Sequence, residues 1–247
     1  MPEKHFYEQK EYANRYLIPY FRKHIPDFEK KKVLEVGCAE AGLLDALSEL
    51  GMETVGIELS EMRASVAKSK NKNLRVHVGD ISKKNAAEKI GETFDMIVMR
   101  EVIEHIPDKK TTFENLDKLL RPGGYLFMSF PPKYSAFAGH QQVGKTMLKA
   151  FPYIHMLPKP VIKMMMDLVN EPNGFLDHVK MNYGTGCSIS VFENLYKSRK
   201  FVPVVKEFYV FRPIYKLRFD LPTIKFPNIP VFREFVAFGC ETLLKKG

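Results

Sequence analysis

The 247-residue sequence contains no tryptophan, only three cysteines and no long apolar segment. No apolar run approaches the roughly 20 residues that a transmembrane helix needs, and the polar N-terminus lacks the apolar core of a signal peptide. Cys38, Cys187 and Cys240 do not have the spacing of a metal site, and one is left over when two pair. We therefore expect a globular protein of the reducing cytoplasm.

Asp and Glu are fewer than Lys and Arg, 29 against 38, which gives the chain a formal net charge of +9. Residues 197–247 carry eleven Lys and Arg against four Asp and Glu. A basic surface of this kind faces nucleic acid, anionic lipid or an acidic substrate, or is simply solvated. The sequence has no recognisable RNA-binding module and no basic helix with interleaved stacking aromatics. Nucleic acid is therefore not the partner that we expect.

Short apolar runs alternate with helical patterns through the first half of the chain. These runs have the length of buried strands and lie at 33–36, 54–59, 74–78, 94–99 and 125–130. Two more strands are predicted at 201–211 and 235–244, joined by a Pro-rich connection at 212–230, and a helix over 5–24 precedes them all. The alternation predicts an α/β fold with a doubly wound, mostly parallel sheet of seven strands.

Residues 131–187 interrupt this pattern with many Pro, Met, His and aromatic residues. The segment is too long for a connecting loop, so we predict a helical insertion after the fifth strand within a single domain spanning 1–247. It would roof the carboxyl edge of the sheet and give an acceptor site apolar walls. One alternative is that its apolar residues pack a small core of their own. A second alternative is that 157–169 forms an amphipathic helix that touches a membrane surface.

A turn of small residues follows the first strand, over Glu35–Gly42. Such a turn presents backbone N–H groups and a helix N-terminus to a ligand. Glu58 ends the next strand, 21 positions after Gly37, where a carboxylate binds the two ribose hydroxyls of an adenosine. Ala39 stands where a dinucleotide fingerprint requires glycine, and nearby glutamates would repel a pyrophosphate. The pattern therefore favours S-adenosylmethionine, whose sulfonium and ammonium groups suit acidic neighbours.

These motifs, in this order, resemble class I S-adenosylmethionine-dependent methyltransferases of the ubiquinone/menaquinone-biosynthesis-like superfamily, which have a Rossmann-like fold. The match runs from about Lys31 to Phe130 and resumes at Ser188. It includes the motifs Val78-Gly79-Asp80-Ile81 and Arg121-Pro122-Gly123-Gly124. The resemblance implies an antiparallel last strand and a set of cofactor contacts. These contacts are Glu35, Gly37, Cys38, Ala39, Gly42, Glu58, Leu59, Asp80, Ile81, Met99 and Glu101.

Glu101, Glu104 and His105 follow the fourth strand, at the edge of the sheet where ligands bind. On a helical turn these side chains converge, and they could hold Mg²⁺ or Mn²⁺. The spacing is similar to the metal-binding E-x-x-E-H of ubiquinone-biosynthesis O-methyltransferases and plant small-RNA 2′-O-methyltransferases. Metal-free relatives have nearly the same sequence here, and in them the residue that matches Glu101 contacts the cofactor. His140 is a candidate fourth ligand or general base, and His105 is the second candidate catalytic residue.

The sequence thus predicts an enzyme that moves a methyl group from S-adenosylmethionine to a small, apolar or aromatic acceptor, through an oxygen nucleophile. Two alternatives stay open. The basic C-terminal segment would suit an RNA methyltransferase. Ala39 and Ala41 stand where the family usually has glycine, which would suit a non-catalytic binding protein with the same fold.

Overall fold

Eight strands form one sheet in the computed structural model, which describes residues 2–247. They are β1 (Val33–Val36), β2 (Thr54–Glu58), β3 (Arg75–Val78), β4 (Phe94–Arg100), β5 (Leu120–Phe130), β6 (Phe201–Phe211), β7 (Ile224–Phe226) and β8 (Gly239–Lys246). Their order is β3-β2-β1-β4-β5-β8-β6-β7. The first five are parallel, and β8, β6 and β7 join in antiparallel pairings. The doubly wound, mostly parallel fold is confirmed, with one strand more than predicted.

Helices surround the sheet. They are α1 (Pro2–Tyr12), α2 (Ile18–His24), α3 (Gly42–Ser48), α4 (Glu61–Lys70), α5 (Ala86–Ile90), α6 (Lys109–Leu119), α7 (Lys159–Val169), α8 (Phe175–Thr185), α9 (Ile189–Ser198), α10 (Pro213–Phe219) and α11 (Phe232–Val236). A π-helical turn at Ala13–Leu17 makes α1 and α2 one continuous helical segment, as predicted. Single 3₁₀ turns lie at Phe28–Lys30, Ile103–His105, Gln141–Val143, Met147–Ala150 and Ile154–Met156. Within residues 2–247, no helix has the length and hydropathy needed to cross a membrane.

Alternate residues of the central strands enter two separate cores, because successive side chains of a strand point to opposite faces. On one face, Ile97 and Met99 of β4 pack with side chains of α6 and α9. On the other face, Met96 and Val98 pack with side chains of α2, α3 and the π-helical turn. Alternate residues of a central strand are therefore covered by different sets of helices.

The insertion after β5 contains α7 and α8 and has a hydrophobic core of its own. Ile162 and Met166 of α7 are buried in this core, while Met164 and Leu168 on the opposite face are 57% and 76% exposed. The methionines of α7 thus lie partly in an internal core and partly on the outer surface. Helix formation here agrees with the prediction from length and composition.

The C-terminal segment differs from the prediction in two places. The Pro-rich connection 212–230 contains α10 and the edge strand β7, which adds the eighth strand to the sheet. The strand predicted at 235–244 begins only at Gly239, because the preceding residues form α11. Glu234 of α11 accepts hydrogen bonds from the first backbone N–H groups of α9. This contact caps the N-terminus of α9 and holds α11 beside it, an interaction between distant segments that local patterns do not predict.

Candidate functional site

A cavity of about 860 Å³ opens at the carboxyl ends of the central parallel strands. Its volume lies within the roughly 300–1,000 Å³ that is usual for ligand pockets. The ends of β1, β2 and β3 contribute residues to one part of it, and β4, β5 and β8 contribute residues to the other. The sheet order reverses between β1 and β4, which is where open α/β sheets bind ligands.

The β1 turn and the end of β2 meet at Glu58, which is buried and lines the cavity. Its two carboxylate oxygens accept hydrogen bonds from the N–H groups of Ala39, at 2.8 Å, and Ser60, at 2.9 Å. Gly37 and Ala39 both have positive φ, of 69° and 52°. At Gly37 an added Cβ would lie 2.3 Å from Val102 Cγ2, so neither the backbone nor the space admits a side chain.

Six of the predicted cofactor contacts line the cavity near this turn: Gly37, Ala39, Glu58, Leu59, Asp80 and Ile81. Asp80 accepts hydrogen bonds from the Ser82 backbone and hydroxyl groups, at 2.9 and 2.6 Å. Partial burial raises the pKa of Asp80, but these bonds and the charge of Lys83 outweigh it and leave the pKa below its ordinary value. The ends of β2 and β3 thus present two acidic side chains to one space.

Four predicted cofactor contacts do not line the cavity: Glu35, Cys38, Gly42 and Met99. Glu35 is buried and accepts a hydrogen bond at 2.8 Å from Arg100, which does line the cavity. Gly42 packs against α1, where an added Cβ would lie 2.2 Å from the Phe6 carbonyl oxygen. Its N–H donates to Gln9 at 3.1 Å. The other two side chains are buried in the hydrophobic cores. We therefore leave these four out of the proposed contacts.

Glu101 follows β4 and faces the cavity, with a φ of 55°. Both of its oxygens are bound by the guanidinium group of Arg212, at 2.8 and 2.5 Å. Removal from bulk water raises the pKa of Glu101, but the adjacent Arg212 more than compensates and holds the pKa below its ordinary value. The carboxylate predicted to bind a metal is therefore ionised and already paired with a cation.

Glu104, His105 and His140 form a compact group, with one ligand atom from each lying within 4.8 Å of the others. The two imidazole rings have centroids 4.9 Å apart. Both carboxylate oxygens of Glu104 are buried, and among the described residues they have no hydrogen-bond partner. Burial, followed by the charge of Glu101, raises the pKa of Glu104 well above its ordinary value. The group that could hold a metal therefore contains Glu104, His105 and His140, and Glu101 of the predicted trio lies outside it.

Burial lowers the pKa values of His105 and His140, so both imidazoles are neutral at physiological pH. A neutral imidazole is the form that binds a metal or accepts a proton. Both rings line the cavity, as expected for the two predicted catalytic histidines.

Local sequence patterns did not predict that α1 and α10 line the cavity. Contributions come from Gln9 and Tyr12 of α1, from Arg212, and from Ile214 and Tyr215 of α10. No local motif marks these residues, because long-range folding brings both helices over the sheet edge. The only related signal was the basic excess of the C-terminal segment, which includes Arg212.

The predicted lid contributes to the cavity only through its first residues, among them Pro131, Phe137 and His140. Within the described part of the chain, α7 and α8 do not line the cavity. Their apolar residues pack mainly against each other, as the alternative interpretation of the composition expected.

Comparison with known proteins adds three findings. A family model described as a methyltransferase domain matches residues 6–167. The chain is 30% identical over 114 residues to a ubiquinone biosynthesis O-methyltransferase of Idiomarina loihiensis, covering 45% of this chain and 47% of that protein. A similar relative from Stutzerimonas stutzeri is 32% identical over 113 residues, covering 44% and 49%. The chain therefore spans about half the length of the curated relatives it matches.

The solved structure of an S-adenosylmethionine dependent methyltransferase from Mesorhizobium loti is similar across nearly the whole molecule. The TM-score is 0.57, and the alignment covers 92% of this chain and 96% of that one. Sequence identity is 13%, so this likeness concerns the fold alone.

Proposed function

The chain belongs to the methyltransferase domain family, and we propose that it moves a methyl group from S-adenosylmethionine to an oxygen atom of a small, apolar or aromatic acceptor. The family resemblance drawn from the sequence motifs is confirmed. One observation carries the proposal: a single cavity joins the acidic ends of β2 and β3 to an aromatic wall above β4, β5 and β8. The O-methyltransferase name of the relatives from Idiomarina and Stutzerimonas supports an oxygen acceptor.

The acidic part of the cavity fits the nucleoside portion of S-adenosylmethionine. Each Glu58 oxygen accepts one backbone hydrogen bond and keeps a further acceptor position, so two hydroxyl groups can still bind. Asp80 would bind the adenine edge, with Leu59 and Ile81 as apolar contacts. Two neighbouring carboxyl side chains also suit a ligand that carries a sulfonium and an ammonium group. When bound, this cofactor supplies an electrophilic methyl group.

The other part of the cavity fits an apolar or aromatic acceptor. Phe137 of the insertion, Phe238 beside β8 and Tyr215 of α10 contribute aromatic rings, and Ile214 contributes an aliphatic side chain. α1 and α10 cover this part, which would exclude water and hold the acceptor in one orientation. Positioning of this kind accounts for much of the rate of a reaction whose electrophile is already strong.

We also propose a divalent cation at Glu104, His105 and His140. A buried carboxylate without a partner is costly, and either a proton or a cation removes that cost. One carboxylate and two imidazoles suit Mn²⁺ better than Mg²⁺, which prefers oxygen ligands. A cation there would bind and polarise the acceptor oxygen. Without a cation, His105 and His140 are candidate proton acceptors.

The proposal is tested by incubating the protein with methyl-labelled S-adenosylmethionine and a cell extract, and separating the extract by size and class. We expect label in a small organic molecule of largely apolar character. Label in RNA alone would instead support the RNA methyltransferase alternative. Cofactor binding with no label in any fraction would support the non-catalytic alternative.

A further inference from the structure

A row of polar side chains leads from the cavity to the protein surface. Glu241, near the start of β8, lines the cavity and is 1% exposed. Its Oε2 accepts a hydrogen bond at 2.8 Å from the Tyr16 hydroxyl group, which lies 3.1 Å from the Tyr209 hydroxyl. Tyr209 donates to Glu207, and the exposed Lys225 also donates to Glu207. Among the described residues, Oε1 of Glu241 has no hydrogen-bond partner.

Two periodicities in the sequence build this row. Tyr12, Tyr16 and Tyr20 are four residues apart and form a stack along the first helical segment, with ring centroids 5.3 and 5.9 Å apart. Glu241 and Glu207 lie directly opposite each other on the neighbouring antiparallel strands β8 and β6. Two ionised carboxylates in a cross-strand pair repel each other. This arrangement therefore favours one proton on the pair.

The number of protons in the row also favours one proton on the pair of glutamates. The oxygens of Glu241, Tyr16, Tyr209 and Glu207 make three consecutive contacts. When both glutamates are ionised, the two hydroxyl protons can fill only two of these contacts. A third proton on Glu241 lets Glu241 donate to Tyr16, Tyr16 to Tyr209, and Tyr209 to Glu207. The row is then fully hydrogen bonded and points from the cavity to the surface.

The surrounding charges place this proton on Glu241. Burial raises the pKa of Glu241 to about 7, with Arg212 and Tyr16 opposing the rise and Glu101 and Glu207 adding to it. Burial also raises the pKa of Glu207, but Lys225 and Tyr209 outweigh that effect and hold the pKa below its ordinary value. Other titratable groups near Glu241 are the hydroxyls of Tyr12, Tyr20 and Tyr209 and the thiol of Cys240, all neutral at physiological pH.

We propose that Glu241 accepts the proton released by the acceptor hydroxyl group, and that Tyr16 and Tyr209 pass it to Glu207 at the surface. The inference rests on the proposed function. The form of Glu241 that accepts this proton is the ionised one. As the oxygen–methyl bond forms and the sulfur–methyl bond breaks, the acceptor O–H bond also breaks, and its proton goes to the Glu241 carboxylate. The carboxyl proton then passes from Glu241 to Tyr16, while the Tyr16 proton moves to Tyr209 and the Tyr209 proton to Glu207. Water takes the proton from Glu207, so Glu241 is ionised again.

The proton-holding part of this proposal is tested on the protein alone by infrared titration of protonated carboxyl groups. Glu35 and Glu104 are also buried acids with raised pKa values, so the spectrum of Glu241→Gln is subtracted from that of the parent protein. The difference should contain one carboxylic acid band that disappears with a midpoint near pH 7. Absence of this band across the whole titration would mean that Glu241 is permanently ionised and would overturn the proposal.

Tyr16→Phe tests the connection, with Tyr20→Phe as the matched control. Tyr20 lies one turn further along the same helical segment, and its buried hydroxyl has no partner among the described residues. Removing the Tyr16 hydroxyl deletes a hydrogen bond that favours ionised Glu241, so the midpoint of the band should move to higher pH. The control should leave the midpoint in place. Equal midpoints in the two variants would contradict the connection between Tyr16 and Glu241.

The transfer step is tested with two probes, phenol and 4-nitrophenol, at about pH 8. Phenol keeps its proton at this pH, since its pKa is near that of tyrosine, about 10, whereas 4-nitrophenol is largely ionised. Glu241→Gln should lower kcat for phenol by about 10²–10⁴-fold, the usual contribution of a general base, and should affect 4-nitrophenol far less. Equal losses for both probes would overturn a role for Glu241 in proton transfer. Methylation of neither phenol by the parent protein would count against the oxygen acceptor, and the infrared titration would still decide the proton-holding role.

Discussion

Arg212 and Glu101 form a two-point ion pair across the cavity, with nitrogen–oxygen distances of 2.8 and 2.5 Å. The pair joins the residue after β4 to the residue after β6, at the edge where the cavity opens. Gly239 leaves room for the arginine, because an added Cβ would lie 2.6 Å from Arg212 Cδ. The guanidinium group therefore fixes the side chain that sequence patterns had assigned to a metal.

Replacing Arg212 with alanine should destabilise the fold. The change leaves the Glu101 carboxylate without its cation, and breaking one partner of a fully buried pair costs about 3–5 kcal/mol. Because the Glu101 side chain is 43% exposed, water replaces part of the lost interaction, and we expect a loss smaller than this range. Denaturant unfolding gives the free energy directly. Arg218→Ala is the control, since its pairing with Glu8 is long and exposed, and a similar loss in that variant would contradict the account.

The group of Glu104, His105 and His140 should bind one Mn²⁺ per chain. Because both imidazoles and Glu104 must be free of their protons to bind a cation, affinity should fall as pH decreases. Glu104→Gln should abolish binding, whereas Glu101→Gln should retain it, since Glu101 lies outside the group. Isothermal titration after dialysis against chelator measures this. No heat of Mn²⁺ binding, together with a thermally more stable Glu104→Gln, would instead indicate a protonated structural glutamate.

Glu241 should make stability depend on pH in a predictable direction. Its pKa in the fold, about 7, is above the ordinary glutamate value, so between these values the folded state holds a proton that the unfolded state has lost. The resulting stabilisation is fully present at low pH and is lost as pH rises toward 7, by about 3 kcal/mol. Buried His155, whose pKa burial lowers to about 4, gives a slope of opposite sign in the same range.

The comparison of parent protein with Glu241→Gln removes the contribution of His155. The difference in unfolding free energy between the two proteins should change between about pH 4.5 and 7 and be constant outside this range. A difference that does not vary with pH would show that Glu241 has an ordinary pKa in the fold.

Local signals predicted the parts of the molecule that depend on local structure. Apolar runs of strand length identified the five central strands, and Glu58, predicted as a ligand contact at the end of the second strand, lines the cavity. The difference at Met99 concerns strand parity. Met99 enters a core below α6, while its neighbour Arg100 lines the cavity, because a shift of one residue moves a strand side chain to the opposite face.

Features made by distant segments could not be predicted in this way. His140 joins Glu104 and His105 through the path of a long insertion, and Arg212 reaches Glu101 from beyond β6. Tyr16 and Glu241 lie near opposite ends of the chain. Sequence spacing carries no information on such pairs, which are fixed only when α1 and the C-terminal strands pack together.

The central claim is that the cavity binds S-adenosylmethionine through Glu58, and calorimetric titration with S-adenosylhomocysteine tests it most directly. We predict one binding site per chain in the parent protein. Glu58→Gln should weaken binding by about 1.5–3 kcal/mol for each ribose hydrogen bond to the charged carboxylate that is lost. Glu61→Gln, an exposed change in the first turn of α4, should leave the affinity unchanged. No binding by the parent protein, or equal affinities in the parent protein and Glu58→Gln, would contradict the account.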